Sequence, residues 1–117
     1  MYDDDEVTLL IEKHGYVKSI SIMAYATMKI EDVEMLSSGI IPFLMVNKVK
    51  SSFVTLVDYI DEELANISGG YVGTKISIIF GGEIPHEEHL VKHIQDGLDF
   101  LRVKHEIMGI SRCDNGV

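Results

Sequence analysis

Two runs of β-branched and aromatic residues, Phe53-Val54-Thr55-Leu56-Val57-Asp58-Tyr59-Ile60 and Lys75-Ile76-Ser77-Ile78-Ile79-Phe80, constrain this chain most. Branched and aromatic side chains pack well on a pleated surface, so both runs read as strands. The second is closed by Gly81-Gly82. Between them lies a connection with an acidic tip, Asp61-Glu62-Glu63, and a glycine cluster, Ser68-Gly69-Gly70 with Gly73. A hairpin usually needs two to five loop residues, so a connection this long points to a use beyond joining strands.

The flanking segments supply the rest of the fold. Residues 1–5 read as a solvated tail, and Val7-Thr8-Leu9-Leu10-Ile11 as a strand stopped by Lys13-His14-Gly15. From Val17 to Met28 the chain alternates: Ile20, Ile22, Ala24, Ala26 and Met28 on one side, Ser19, Ser21, Met23, Tyr25 and Thr27 on the other. Period two predicts a half-buried strand. The rhythm then changes, with Val33, Leu36, Ile40 and Leu44 recurring at three and four residues as on one helix face. Glu31, Asp32 and Glu34 suit the N-terminal end of that helix, while Pro42 predicts a kink or break. Pro85 opens a second helix with Leu90, Ile94, Leu98 and Leu101 as its buried stripe, and Glu106–Ile110 is a last short strand. After the first strand the order is strand, helix, strand, strand, helix, strand. The expected architecture is α+β, a single domain over 1–117. It is a ferredoxin-like βαββαβ sandwich with an additional N-terminal strand and helices on one face.

Totals narrow the function. At 117 residues with 46% hydrophobic and 25% charged content the chain can bury a core without metals or disulfides. A net charge of −9 opposes nucleic-acid and anionic-membrane partners. No apolar run reaches the roughly 18–20 residues of a spanning helix, and the acidic MYDDDEV start is unlike a signal peptide, so a cytoplasmic protein is expected. Cys113 alone gives neither a disulfide framework nor a thiolate cluster. GGYVG lacks the lysine and hydroxyl of a phosphate loop and leads into a strand. His86, His89 and His93 stand at i, i+3 and i+7 on the second helix, the one constellation with metal-ligand character. The competing reading is a set of surface histidines flanking the apolar stripe. Catalytic residues and cofactors are not expected.

The series SISIMAYAT, a helix, VNKVKSSFVTLVDY, SGGYVGTKISIIFGG and the helix EEHLVKHIQDGLDFLR resembles the bacterial microcompartment (BMC) shell-protein family. It is nearest to the small single-domain shell proteins of ethanolamine and propanediol utilisation, over about Ser19 to Cys113. The resemblance implies a non-enzymatic shell subunit forming cyclic homo-hexamers that tile with other shell proteins. Ser68, Gly69 and Gly70 fall at the family's pore-lining turn, with Gly73 as the other register, where small metabolites would pass. Lys48 or Lys50 falls at the hexamer-edge lysine. Two other functions fit the same residues: a dimeric ferredoxin-like domain holding a small ligand in the long loop, and a metal-binding protein using the histidines.

Overall fold

The computed structural model describes residues 4–46, 52–60, 73–84 and 86–114. Along the chain these form α1 (Asp4–His14), β1 (Tyr16–Ala24), α2 (Ile30–Val46), β2 (Phe53–Ile60), β3 (Gly73–Gly81), α3 (Glu87–Phe100) and β4 (His105–Asp114). The fold is α+β. Its four strands form one antiparallel sheet in the order β2-β3-β1-β4, an order compatible with a ferredoxin-like arrangement preceded by a helix.

That first helix corrects the expected N-terminal strand. Val7, Leu10 and Ile11 recur at helical spacing and pack on Val17, Ile79, Val54 and Leu56 of the sheet. The acidic residues read as tail belong partly to the first turn of α1, where the dipole favours them, and Lys13 and His14 occupy its last turn. Gly15, read as a turn after a strand, instead ends the helix. It sits at φ 87° and donates its N–H to the Ile11 carbonyl at 2.7 Å, a left-handed cap that glycine adopts without steric cost. A five-residue stretch with four apolar residues is too short to separate strand from helix by composition.

α1 therefore covers the sheet face opposite α2 and α3, so the helices are not confined to one side. The main core lies under α2 and α3. Ile20, Ile22 and Ala24 of β1 meet Ile76, Ile78 and Phe80 of β3 and, from the helices, Val33, Ile40, Leu44, Leu90, Ile94 and Leu98. The alternation read in Ile20, Ile22 and Ala24 is the one observed, but β1 ends at Ala24 rather than Met28. α2 runs through Pro42 without a break. Proline removes the N–H that would reach the Ser38 carbonyl, and both residues are solvent-exposed, so water can satisfy that oxygen.

α2 and α3 approach closely at two glycines. A Cβ on Gly97 would stand 2.7 Å from the end of Leu36, and one on Gly39 would stand 3.4 Å from the His93 ring. α3 ends in a Schellman motif: Val103 N–H reaches the Leu98 carbonyl and Arg102 N–H the Asp99 carbonyl, both at 3.0 Å. The residue held left-handed there is Arg102, at φ 59°, where glycine is the usual choice. Arg102→Gly is expected to raise stability by roughly 0.5–1 kcal/mol, the steric cost of a side chain there exceeding the entropy glycine adds to the unfolded chain. A urea midpoint that stays put or falls would show that Arg102 is not strained.

β4 is longer than the expected Glu106–Ile110 strand: it runs from His105 to Asp114 and takes in Cys113. Cys113 pairs with Val17 at an exposed position.

Candidate functional site

β2 is one terminal strand of the sheet among the described residues, and α2 crosses its inner face. The two elements are tied by a hydroxyl pair, Ser37 Oγ to Thr55 Oγ1 at 2.7 Å, with Ser37 also donating back to the Val33 carbonyl at 3.0 Å or accepting from Thr55. Beside this pair runs a groove of about 670 Å³ along the outer edge of β2. Ile30, Val33, Val57 and Tyr59 form its apolar walls, with Glu6 of α1 and Glu34 of α2 among its polar lining. Two carboxylates beside apolar walls disfavour an anionic occupant and suit an uncharged or apolar one.

The apolar character continues onto the surface. Ile30, Met35, Ile41 and Met45 of α2 are exposed, Met45 by 74%, and Phe100 at the end of α3 is 81% exposed. A helix with apolar residues on its solvent side as well as its core side belongs in contact with something else.

The two edges of the sheet differ in a way that bears on this. β4 carries a bulge: its register against β1 shifts between Ser21 and Ile22, with Gly109 opposite Ser21 and Ile107 opposite Ile22. It is charged near both ends, with Glu106, Arg112 and Asp114. Such features block further strand pairing. β2 keeps an unbroken register with β3 from Phe53↔Phe80 to Ile60↔Gly73 and holds a single charge, Asp58.

A polar cluster marks the opposite end of the molecule, where β1 begins. Lys18 reaches Glu87 at 2.7 Å and Glu83 at 3.2 Å, the Tyr16 hydroxyl donates to Glu83 at 2.7 Å, and the Arg112 guanidinium lies 3.9 Å over the Tyr16 ring. Hydrogen bonds to Glu87 and then Glu83 raise the Lys18 pKa, while those from Tyr16 and then Lys18 lower that of Glu83. The Glu83 contribution to stability is thus complete above the unfolded carboxylate value and lost as pH falls through the folded one. The Lys18 contribution is complete below the ordinary lysine value and lost as pH rises through the folded one. Every ion is partnered, so this cluster ties α3 to β1 and offers no unpaired group for chemistry.

The three histidines take separate roles. His86 is not within α3 but at its N-cap, with φ 50° and ψ 52°, and its ring stacks on His89 at 5.6 Å between centroids. His93 points to α2, donating from Nε2 to the Gly39 carbonyl at 2.9 Å and stacking on Phe43. A carbonyl only accepts, so Nε2 of His93 is the donor in this bond. His105 is likewise fixed, its Nδ1 2.9 Å from the Val103 carbonyl. Among the described residues no three histidine, cysteine, aspartate or glutamate side chains come together as a metal site would need.

Ser68, Gly69 and Gly70 of the expected pore turn, the acidic tip at Asp61-Glu62-Glu63, and the edge lysines Lys48 and Lys50 lie outside the described residues. Gly73 opens β3 and is buried. A Cβ there would collide with the Ala24 carbonyl and lie 3.2 Å from the Ala26 nitrogen, a packing reason for glycine at this position. Its neighbour Thr74 was not singled out by the sequence, yet it is the one buried polar side chain among the described residues. Thr74 Oγ1 accepts the Met28 N–H at 3.0 Å and donates to the Ala26 carbonyl at 2.9 Å, pinning the connection from β1 to α2. A lone threonine at the head of an apolar strand gave no signal of this.

No helix among the described residues is long and apolar enough to cross a membrane. Comparison with family models, with curated proteins and with solved structures gives no significant match, so the likeness to shell proteins rests on the sequence pattern alone.

Proposed function

We propose that this chain is a structural assembly domain, working through contacts with other copies of itself rather than through catalysis. The observation that carries the reading is the run of exposed apolar side chains on α2, Ile30, Met35, Ile41 and Met45, continued by Phe100. Leaving these in water forgoes the burial of large side chains, each about 1.5–3 kcal/mol if fully covered, so a covering partner is favoured. The form suggested by the shell-protein likeness is a cyclic hexamer, with Ser68, Gly69 and Gly70 near its axis and Lys48 or Lys50 at its rim. A closed ring presents the same turn from every subunit at one axis, which is what a pore for small metabolites requires.

The groove beside β2 favours a second reading, a ferredoxin-like regulatory domain with an uncharged small ligand between Ser37, Thr55 and Tyr59. The readings part on one experiment. Ile41→Glu with Met45→Glu places charge on exposed positions of α2 and should leave the circular dichroism unchanged. In the assembly reading the pair lowers the mass in solution. An unchanged oligomer would show that α2 is not at the contact, and a wild-type monomer at micromolar concentration would move the reading to the ligand-binding domain.

A further inference from the structure

We infer that β2 is a pairing edge, and that two copies of this chain join through antiparallel β2–β2 contact about a two-fold axis at Leu56, making one continuous sheet. The inference rests on the reading that this chain assembles with copies of itself, and takes a two-fold pair in place of the ring as the form of that assembly.

The hydrogen-bond direction of the strand is fixed by one bond: Gly81 N–H reaches the Ser52 carbonyl at 3.0 Å. A residue in an antiparallel strand points its N–H and carbonyl to the same side, and successive residues alternate. Ser52, Val54, Leu56 and Asp58 therefore turn their backbone groups toward β3, and Phe53, Thr55, Val57 and Tyr59 turn theirs outward. A two-fold axis perpendicular to the sheet keeps each face on its own side, so only residues of the same parity can oppose one another. With the axis at Leu56, Phe53 opposes Tyr59 and Thr55 opposes Val57. All four outward-facing residues are then paired, and the α2 face gains aromatic and β-branched cross-strand pairs of the favoured kind.

Charge selects the same register. Asp58 faces Val54, whereas an axis at Asp58 would set two carboxylates against each other. The Ser37–Thr55 bond places α2 over β2, so the same axis brings the α2 helices of both copies alongside, antiparallel. Glu31 and Asp32 of one helix then lie toward the apolar C-terminal half of the other, not beside their own counterparts. The groove lined by Ile30, Val57 and Tyr59 is closed by the second copy. β4, with its bulge and charges, cannot serve in this way.

The test is a disulfide across the axis in the full chain carrying Cys113→Ser. A residue opposite itself at a non-hydrogen-bonded position has Cα atoms about 4.5 Å apart, within disulfide reach. Leu56→Cys should form a covalent dimer on mild oxidation, and Thr55→Cys should not, because its opposite residue is Val57. Val57→Pro removes an outward N–H while sparing the β3 ladder, and Tyr59→Lys is a gentler edge block should the proline variant not fold. Either should lower the mass from twice 13.1 kDa to 13.1 kDa. An oligomer that survives both substitutions, with no cross-link at Leu56→Cys, overturns the β2 interface and leaves assembly through another surface. A wild-type chain that is monomeric throughout overturns both.

Discussion

Gly73→Ala is expected to destabilise the chain by about 3 kcal/mol, the upper part of the range for overpacking, seen as a lower urea midpoint at unchanged slope. The added carbon would collide with the Ala24 carbonyl and press on the Ala24 carbonyl carbon and the Ala26 nitrogen, each 3.2 Å away. These are backbone atoms. Ala24 is fully buried and paired with both Thr74 and His105, and Tyr25 N–H is bonded to the Lys104 carbonyl at 2.7 Å, so the opposing segment has little freedom to retreat. A comparable glycine clash at Gly97 meets only the flexible end of Leu36 and should cost less. A change under about 0.5 kcal/mol for Gly73→Ala would mean that the close approach of β3 to the end of β1 is wrong.

Thr74→Val is expected to cost about 2–3 kcal/mol, although the two side chains are nearly the same shape. The hydroxyl satisfies a donor and an acceptor, the Met28 N–H and the Ala26 carbonyl, in a site with no solvent exposure at Thr74. Stranding a buried polar group costs its desolvation, about 1–3 kcal/mol, and valine strands two. Thr74→Ser keeps the hydroxyl and should recover most of the loss. A valine variant as stable as the parent would show that water replaces the hydroxyl at that turn.

What could be read from the chain beforehand follows from which physical signals are local. The alternation Ile20-Ser21-Ile22-Met23-Ala24 identifies β1 because period two is written into neighbouring residues, and the stripe Leu90, Ile94, Leu98 identifies α3 in the same way. Val7–Ile11 misled because four apolar residues in a five-residue stretch carry no decisive period. The evidence that they are helical is tertiary: Leu10 packs across Val17 and Ile79. Pro42 does not break α2, since its lost hydrogen bond lies on the solvent side, where it is cheap. The histidine spacing assumed one continuous helix from His86, but His86 caps α3 from a left-handed conformation and Gly39 claims His93.

The candidate site was less legible than the fold for a related reason. Being an edge is a property of strand order, not of FVTLVDYI, and the same eight residues would be unremarkable in the middle of a sheet. The exposure of Ile41, Met45 and Phe100 is likewise decided by where α2 and α3 lie against each other. Within the sequence these residues are simply apolar.

The measurement that bears most directly on assembly is the absolute mass of the unmodified chain by light scattering across a dilution series. The account predicts a multiple of 13.1 kDa at micromolar concentration: twice that value for the β2-paired dimer, and six times that value for the cyclic ring implied by the shell-protein likeness, which needs head-to-tail contacts in place of the two-fold pair. A single species of 13.1 kDa at every concentration would contradict it.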